Sequence, residues 1–215
     1  MAPRIQARSD ELTPRQQVVL TAALDLLVEA GDGLTMTAVA RRASCSKETL
    51  YKWFGDREGL LTATVQWQAA KVRIPAVDRR TLDPGSLKAS IQQFGRDLLG
   101  TIAGTTSVTL NRLAVSHAAD DEGLGAIVLE NGRFSMGKRL KPLLEAGRDA
   151  RLLRFENSEL AFRTFFGLVV RDVQIRLLLG EGLTLTPKEI DQDAERATGQ
   201  FLELYGVEAA GVRGK

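Results

Sequence analysis

Between Ala43 and Leu61 the chain reads ASCSKETLYKWFGDREGLL, and Lys47, Thr49, Tyr51, Lys52 and Trp53 fall within two helical turns of one another. Ammonium groups, hydroxyls and flat rings at that density belong to non-covalent recognition: cations for phosphate oxygens, hydroxyls for polar edges, rings for packing or stacking. From Arg41 to Arg57 five cations (Arg41, Arg42, Lys47, Lys52, Arg57) stand against two acids (Glu48, Asp56), a local +3 in a chain of formal net charge +2. The excess charge is therefore concentrated in this stretch, as an electrostatic footprint for a polyanion would be.

Other residues capable of chemistry stand alone. Cys45 is the single cysteine, which excludes an intramolecular disulfide framework and a multi-cysteine zinc site. Its place in a turn suits a small packed side chain, a role that free cysteine imitates well; a redox sensor is the competing reading. His117, the only histidine, shares a helical face with Leu110, Leu113 and Ala114 and has no Cys, Asp or Glu at ligand spacing. It reads as a core or pocket-lining histidine rather than a metal ligand or general base. GRFSMGK, Gly132 to Lys138, fits G-x-x-x-x-G-K, but Arg139 follows where a magnesium-binding hydroxyl is required and no strand–loop–helix pattern surrounds it. No nucleophile–base pair, metal cluster or cofactor loop emerges, so neither catalysis, a metal nor a cofactor is expected.

The elements that must position these groups are helical. With 215 residues, 44% hydrophobic and 26% charged, the chain has the composition of a soluble globular protein with a sizeable core. Its start, MAPRIQARSDEL, has no apolar run behind its basic residues, and no later apolar stretch is long enough for a bilayer; a cytoplasmic protein without a membrane partner is expected. Thr13-Pro14-Arg15-Gln16 opens a first helix whose inner face is Val19, Ala22, Ala23, Leu26, Leu27 and Ala30, with Gly31 to end it. Thr35 caps a second helix through Ala43, Ser46 a third to about Trp53, and Asp56 a fourth carrying Leu60, Leu61 and Val65.

After Lys71 a connector is punctuated by Pro75 and Pro84-Gly85, followed by helical stretches over 86–99, 107–119, 123–147 and 158–179. The last of these, with Phe162, Phe165, Phe166, Val169, Val170 and Val173, is apolar on most sides and is expected to lie between other helices. Thr186-Pro187-Lys188-Glu189 is a capping box, and Ile190, Ala194, Ala197, Phe201 and Leu204 follow at steps of four and three, a seam suited to a partner helix, including a second copy of itself. The expected fold class is all-α with about nine helices: an N-terminal three-helix unit over residues 1–55 and a larger helical body over 56–215.

Two short helices over 35–43 and 46–53 joined by a two-residue turn have the proportions of a helix-turn-helix, whose second helix lies in the major groove of DNA. Leu50 and Phe54 would then face inward. The stretch LTMTAVARRASCSKETLYKWFGDREGLL resembles the DNA-binding segment of the TetR family of transcriptional regulators, its marks being Thr35, Val39-Ala40, Ala43, Ser46, Thr49-Leu50-Tyr51, Phe54 and Asp56-Arg57-Glu58-Gly59-Leu60. Past Lys71 the resemblance extends only to length and helicity.

That resemblance implies a homodimer, here through the last two helices, a palindromic double-stranded DNA operator, and most often repression relieved by a small-molecule effector, whose identity the sequence does not carry. It places Thr35, Thr37 and Ser46 at phosphate-contacting positions. Lys47, Glu48, Thr49 and Tyr51 fall at the front of the recognition helix, Lys52 on the same basic stretch, and Trp53 and Arg57 at positions that touch the DNA backbone. The turn glycine common in the family is Ser44 here and the apolar residue after it is Cys45, so Ser44 is expected to take a strained positive φ. Phe94, Asn111, His117, Phe134, Phe166 and Gln174 are candidate pocket residues, because ligand sites between helices are largely apolar with a few polar groups. Arg148, Arg151 and Arg154 most simply form a solvated face. The alternative class is an all-helical small-molecule carrier or enzyme with a helix-turn-helix look-alike; salt-dependent DNA affinity separates the two.

Overall fold

The side chain of Thr13 accepts from the Gln16 backbone N–H at 3.2 Å while Gln16 Oε1 accepts from the Thr13 N–H at 2.9 Å, so the first helix starts where its reciprocal cap dictates. The computed structural model describes residues 12–30, 34–74, 81–116, 118 and 122–207. Gly31, Pro75 and His117 lie outside them. The element order is α1 (Pro14–Ala30), α2 (Met36–Arg42), α3 (Lys47–Phe54), α4 (Arg57–Ala69), α5 (Pro84–Ala103), α6 (Thr105–Ser116), α7 (Glu122–Val128), a π-helical turn (Leu129–Phe134), α8 (Ser135–Asp149), α9 (Ser158–Val170), α10 (Val173–Leu178) and α11 (Pro187–Tyr205). Among the described residues the only β pairing is an isolated bridge between Leu153 and Gly206. The fold is all-α.

Two elements differ from the sequence reading. The apolar stretch 158–179 is not one helix: Arg171 adopts φ 43°, ψ −123° and its N–H still bonds to the Gly167 carbonyl, so the chain turns before α10 begins. Nor is α9 buried all round, since Leu160, Arg163 and Gly167 are exposed while Ala161, Phe162, Phe165, Val169 and Val170 are buried. Conversely, the glycine-interrupted stretch after Gly123 runs unbroken from Glu122 to Asp149 by inserting the π turn rather than a loop.

The chain divides into two compact units. The first comprises residues up to Lys71, Ala103–Ser135 and Ile175–Glu181. Its core joins Val19, Leu20, Ala23 and Leu27 of α1 to Val39 of α2, Leu50 of α3, Leu60 and Leu61 of α4, Leu110 of α6 and Leu124 of α7. Full burial of aliphatic side chains of this size contributes about 1.5–3 kcal/mol each, so this cluster, rather than the short helices themselves, holds α2 and α3 in shape.

The second unit comprises Val72–Ile102, Met136–Gln174 and Gly182 onward. Its centre is a run of rings: Phe94 against Phe165 at 6.3 Å between centroids, Phe165 edge-on to Phe201 at 5.4 Å, and Phe201 to Tyr205 at 4.9 Å. The seam of α11 is spent here. Ala194, Ala197 and Phe201 are fully buried within the chain, where α11 packs on α9, leaving Ile190 half-buried and Leu204 exposed. A second copy therefore cannot reach Ala194, Ala197 or Phe201.

The capping box of α11 is complete: Thr186 Oγ1 accepts from the Glu189 N–H at 3.2 Å and Glu189 Oε2 accepts from the Thr186 N–H at 2.8 Å. The Thr186 backbone N–H first and its hydroxyl second hold the Glu189 carboxyl below the usual value of 4.5. A carboxyl depressed on folding contributes stability above its unfolded pKa and loses it as pH falls through its folded one. Chemical denaturation of wild type and Glu189→Gln from about pH 6 to about pH 3 is therefore expected to show the wild-type advantage shrinking below about pH 4.5. A pH-independent difference would contradict the assignment.

Candidate nucleic-acid interface

α2 begins with Thr35, whose side chain accepts from the Ala38 N–H at 3.1 Å, and ends in a Schellman motif. The Cys45 N–H reaches the Ala40 carbonyl at 2.9 Å, the Ser44 N–H reaches that of Arg41 at 3.3 Å, and Ser44 takes the left-handed position with φ 50°. For a residue with a Cβ that conformation costs about 1–2 kcal/mol. Cys45 is half-buried and packs against the first unit's core, as Trp53 and Phe54 also do. The guanidinium of Arg15, 29 positions earlier on α1, donates Nη2 to the Ser44 carbonyl at 2.6 Å; no sequence signal marks that pairing.

Ser46 then caps α3, its Oγ accepting from the Thr49 N–H at 3.2 Å and lying 3.1 Å from Thr49 Oγ1. Leu50 is fully buried beneath the helix, while Phe54 is half-buried and meets Trp53 edge-on at 6.2 Å. Trp53 thus divides its ring between solvent and core. Lys47, Glu48, Tyr51 and Lys52 are exposed and Thr49 is half-buried. A hydrogen bond from its own backbone N–H, then one from the Ser46 hydroxyl, keeps the Glu48 carboxyl below its usual range and so ionised. Thr35 and Thr37 are exposed on α2, and Arg41, one turn beyond Thr37, shares that face.

The five local cations do not do the same work. Arg42 forms a two-pronged pair with Glu29 of α1, and Arg57 donates Nε to the Leu34 carbonyl at 2.9 Å, tying the first turn of α4 to the entry of α2. Arg41, Lys47 and Lys52 make no side-chain hydrogen bond among the described residues and present their charge to solvent.

α3 passes to α4 through Gly55, at φ 81°, and Asp56, which caps α4 by accepting from the Gly59 N–H at 2.7 Å. A Cβ on Gly59 would stand 1.9 Å from the Phe54 carbonyl oxygen, so only glycine lets the two helices meet this closely. Farther along α4, Gln66 donates to Asn131 of the π turn at 2.9 Å. Gln68 is buried, and its Oε1 has no hydrogen-bond partner among the described residues. Neither residue was flagged by sequence, because a glutamine on a helix carries no signal until its neighbours are known.

The comparisons with known proteins agree with this geometry. Residues 19–64 match the model of bacterial regulatory proteins of the tetR family, and residues 89–207 that of the AefR-like transcriptional repressor C-terminal domain. A TetR transcriptional regulator from Agrobacterium tumefaciens is 44% identical, with 92% of this chain and 97% of that one covered at a TM-score of 0.78. The chain belongs to the TetR family. It is also similar to the flavonoid-responsive regulator FrrA, at 26% identity over 91% of this chain and 98% of that one, with a TM-score of 0.66. Among curated sequences it is similar to the uncharacterized HTH-type transcriptional regulator YdeS of Bacillus subtilis (strain 168), 36% identical over 63 residues, which are 29% of this chain and 31% of that protein.

Within this TetR-family chain the remaining sequence candidates belong to both units. Asn111, which donates Nδ2 to the Ser107 carbonyl at 2.8 Å, and half-exposed Phe134 belong to the first unit. Fully buried Phe94, half-buried Phe166, which meets Phe162 edge-on at 6.0 Å, and half-buried Gln174 belong to the second. GRFSMGK lies in the π turn and the first turn of α8, helical throughout, so its backbone does not form a phosphate-cradling loop. Arg148, Arg151 and Arg154 are exposed, Arg148 lying 5.3 Å over the Phe155 ring. Among the described residues no group of three or more His, Cys, Asp or Glu could hold a metal, and no helix is long and apolar enough to cross a membrane.

Gly59→Ala is expected to lower stability by about 1–3 kcal/mol, the usual cost of overpacking, because the neighbouring atom is backbone and cannot move aside. Urea denaturation measures it; a change below about 0.5 kcal/mol would show that α4 does not approach Phe54 this closely.

Proposed function

We propose that this chain is a transcriptional repressor that binds a palindromic DNA operator as a homodimer and is released by a small-molecule effector. The observation that carries the reading is the front of α3. Its cap and the preceding turn are fully formed, its inner side is anchored by Leu50, and its outer side offers Lys47, Glu48, Tyr51 and Lys52. Lys47 and Lys52 suit phosphates or guanine edges, ionised Glu48 can accept from a cytosine amino group, and Thr35, Thr37, Ser46 and Thr49 add hydroxyls, with Trp53 and Arg57 at its margins. Residues 1–55 act as the reader and 56–215 as the effector-binding and dimer-forming body. The family is one of regulators rather than catalysts, and the role is a cytoplasmic one.

Because Ala194, Ala197 and Phe201 of the α11 seam are used inside the chain, dimerisation falls to the parts of α9 and α11 left exposed. These present Leu160, 57% exposed, and Leu204, 63% exposed. A Cβ at Gly167 or Gly199 would meet nothing within 4 Å, which leaves room for close approach by a second copy. A two-fold axis then sets two α3 helices about 34 Å, one DNA turn, or a multiple of it apart.

Two points support an effector: FrrA is flavonoid-responsive by name, and α4 carries a buried amide, Gln68, that a ligand donor would satisfy. Gln68 joins Phe94, Asn111, His117, Phe134, Phe166 and Gln174 as candidate contacts. An effector that binds better to a conformation with misplaced α3 helices would release the DNA.

The test is titration of the purified protein against the DNA upstream of its own coding region at several salt concentrations. A steep fall of log affinity with log salt is expected, and Lys52→Ala should reduce that slope by about 1 per subunit, or about 2 per dimer. Binding that ignores salt, or that Lys52→Ala leaves unchanged in both strength and slope, would favour a carrier with a look-alike reader.

A further inference from the structure

We infer that Arg15 is a positioning residue of the DNA reader: it fixes the exit direction of the α2–α3 turn by holding the Ser44 carbonyl. The inference rests on the DNA-binding reading above but concerns a residue outside the helix-turn-helix. The turn needs a left-handed residue, and Ser44 fills that place at φ 50° with a Cβ that opposes it. Both turn N–H groups are already satisfied inside α2, by the Arg41 and Ala40 carbonyls. The Ser44 carbonyl is the remaining backbone polar group of that strained residue, and it receives Arg15 Nη2 at 2.6 Å, a charge-assisted bond.

The two ends of this tether are fixed differently. Arg15 is the second residue of α1, whose Val19, Leu20 and Ala23 sit in the core together with Val39 of α2. Ser44 lies two residues before Ser46, the cap that starts α3. A peptide plane at Ser44 that rotates therefore carries the start of α3 with it, and the Arg15 guanidinium is a contact from outside the turn that opposes this rotation. Where a glycine would adopt the conformation without strain, this chain uses a serine with an arginine across from it.

A rival role for an exposed arginine at the start of α1 is direct contact with a DNA phosphate. The two roles separate experimentally. DNA selected from random sequence by the wild-type protein serves as the probe, and its affinity is measured across salt concentrations for wild type, Arg15→Ala, Arg15→Lys, Ser44→Gly and the double variant Arg15→Ala/Ser44→Gly. Amide hydrogen exchange at Ser44 and Cys45 is followed in the same proteins without DNA.

Positioning predicts that Arg15→Ala weakens binding about tenfold with the salt slope unchanged, and that adding Ser44→Gly restores affinity to within about twofold. Arg15→Lys should fall between, since an ammonium can keep one such bond but lacks the planar fork. Exchange at the turn amides should quicken in Arg15→Ala and slow again in the double variant. A slope reduced by about 1 per subunit with no rescue by Ser44→Gly would overturn the inference in favour of a phosphate contact, and unchanged affinity and exchange in Arg15→Ala would overturn it outright. If the wild-type protein selects no DNA, the regulator reading fails, and the exchange arm still decides whether Arg15 holds the turn.

Discussion

The left-handed backbone at Ser44 is the constraint on which the reader depends. α2 and α3 have only seven and eight residues, too short to persist without their surroundings. Their relative direction is set by one residue with φ 50°, two bonds of a Schellman motif, and the Ser46 cap that begins α3 immediately afterwards. Everything the outer side of α3 offers is useful only in that direction. The buried cluster around Val19, Val39, Leu50 and Leu60 supplies the stability, and the turn supplies the aim.

The same separation appears in how charge is used. A basic stretch suggests uniform attraction to a polyanion, yet Arg42 is paired to Glu29 and Arg57 bonds to the Leu34 carbonyl. The remaining cations, Arg41, Lys47 and Lys52, point to solvent. Local charge density thus divides into groups that assemble the reader and groups available to a partner. In the second unit an analogous division governs α11: Ala194, Ala197 and Phe201 of its seam are consumed by α9 and the ring stack, while Leu204 and Gly199 stay open.

Much of the fold was legible because its signals are local. Thr13, Thr35, Ser46, Asp56 and Thr186 each cap a helix through a bond to a residue three positions on. Ser44 was legible through the resemblance, which puts a glycine at that turn position, and it takes φ 50°. The break at Arg171 was not, since neither Arg171 nor Asp172 is a glycine or proline and apolar residues resume beyond them. The Arg15 tether and the buried Gln68 were hidden for another reason: each is defined by what the fold brings, or fails to bring, beside it. The same limit applied to the α11 seam, whose period announces a packing partner but not whether that partner is the chain's own α9 or a copy.

The most direct test of the central claim, that two copies of α3 read symmetric DNA, is enrichment of random double-stranded DNA by the purified full-length protein followed by sequencing. The account predicts one enriched palindrome whose half-site centres lie about one helical turn, or a multiple of it, apart. Enrichment of no sequence, or of an asymmetric site bound by a single subunit, would contradict it.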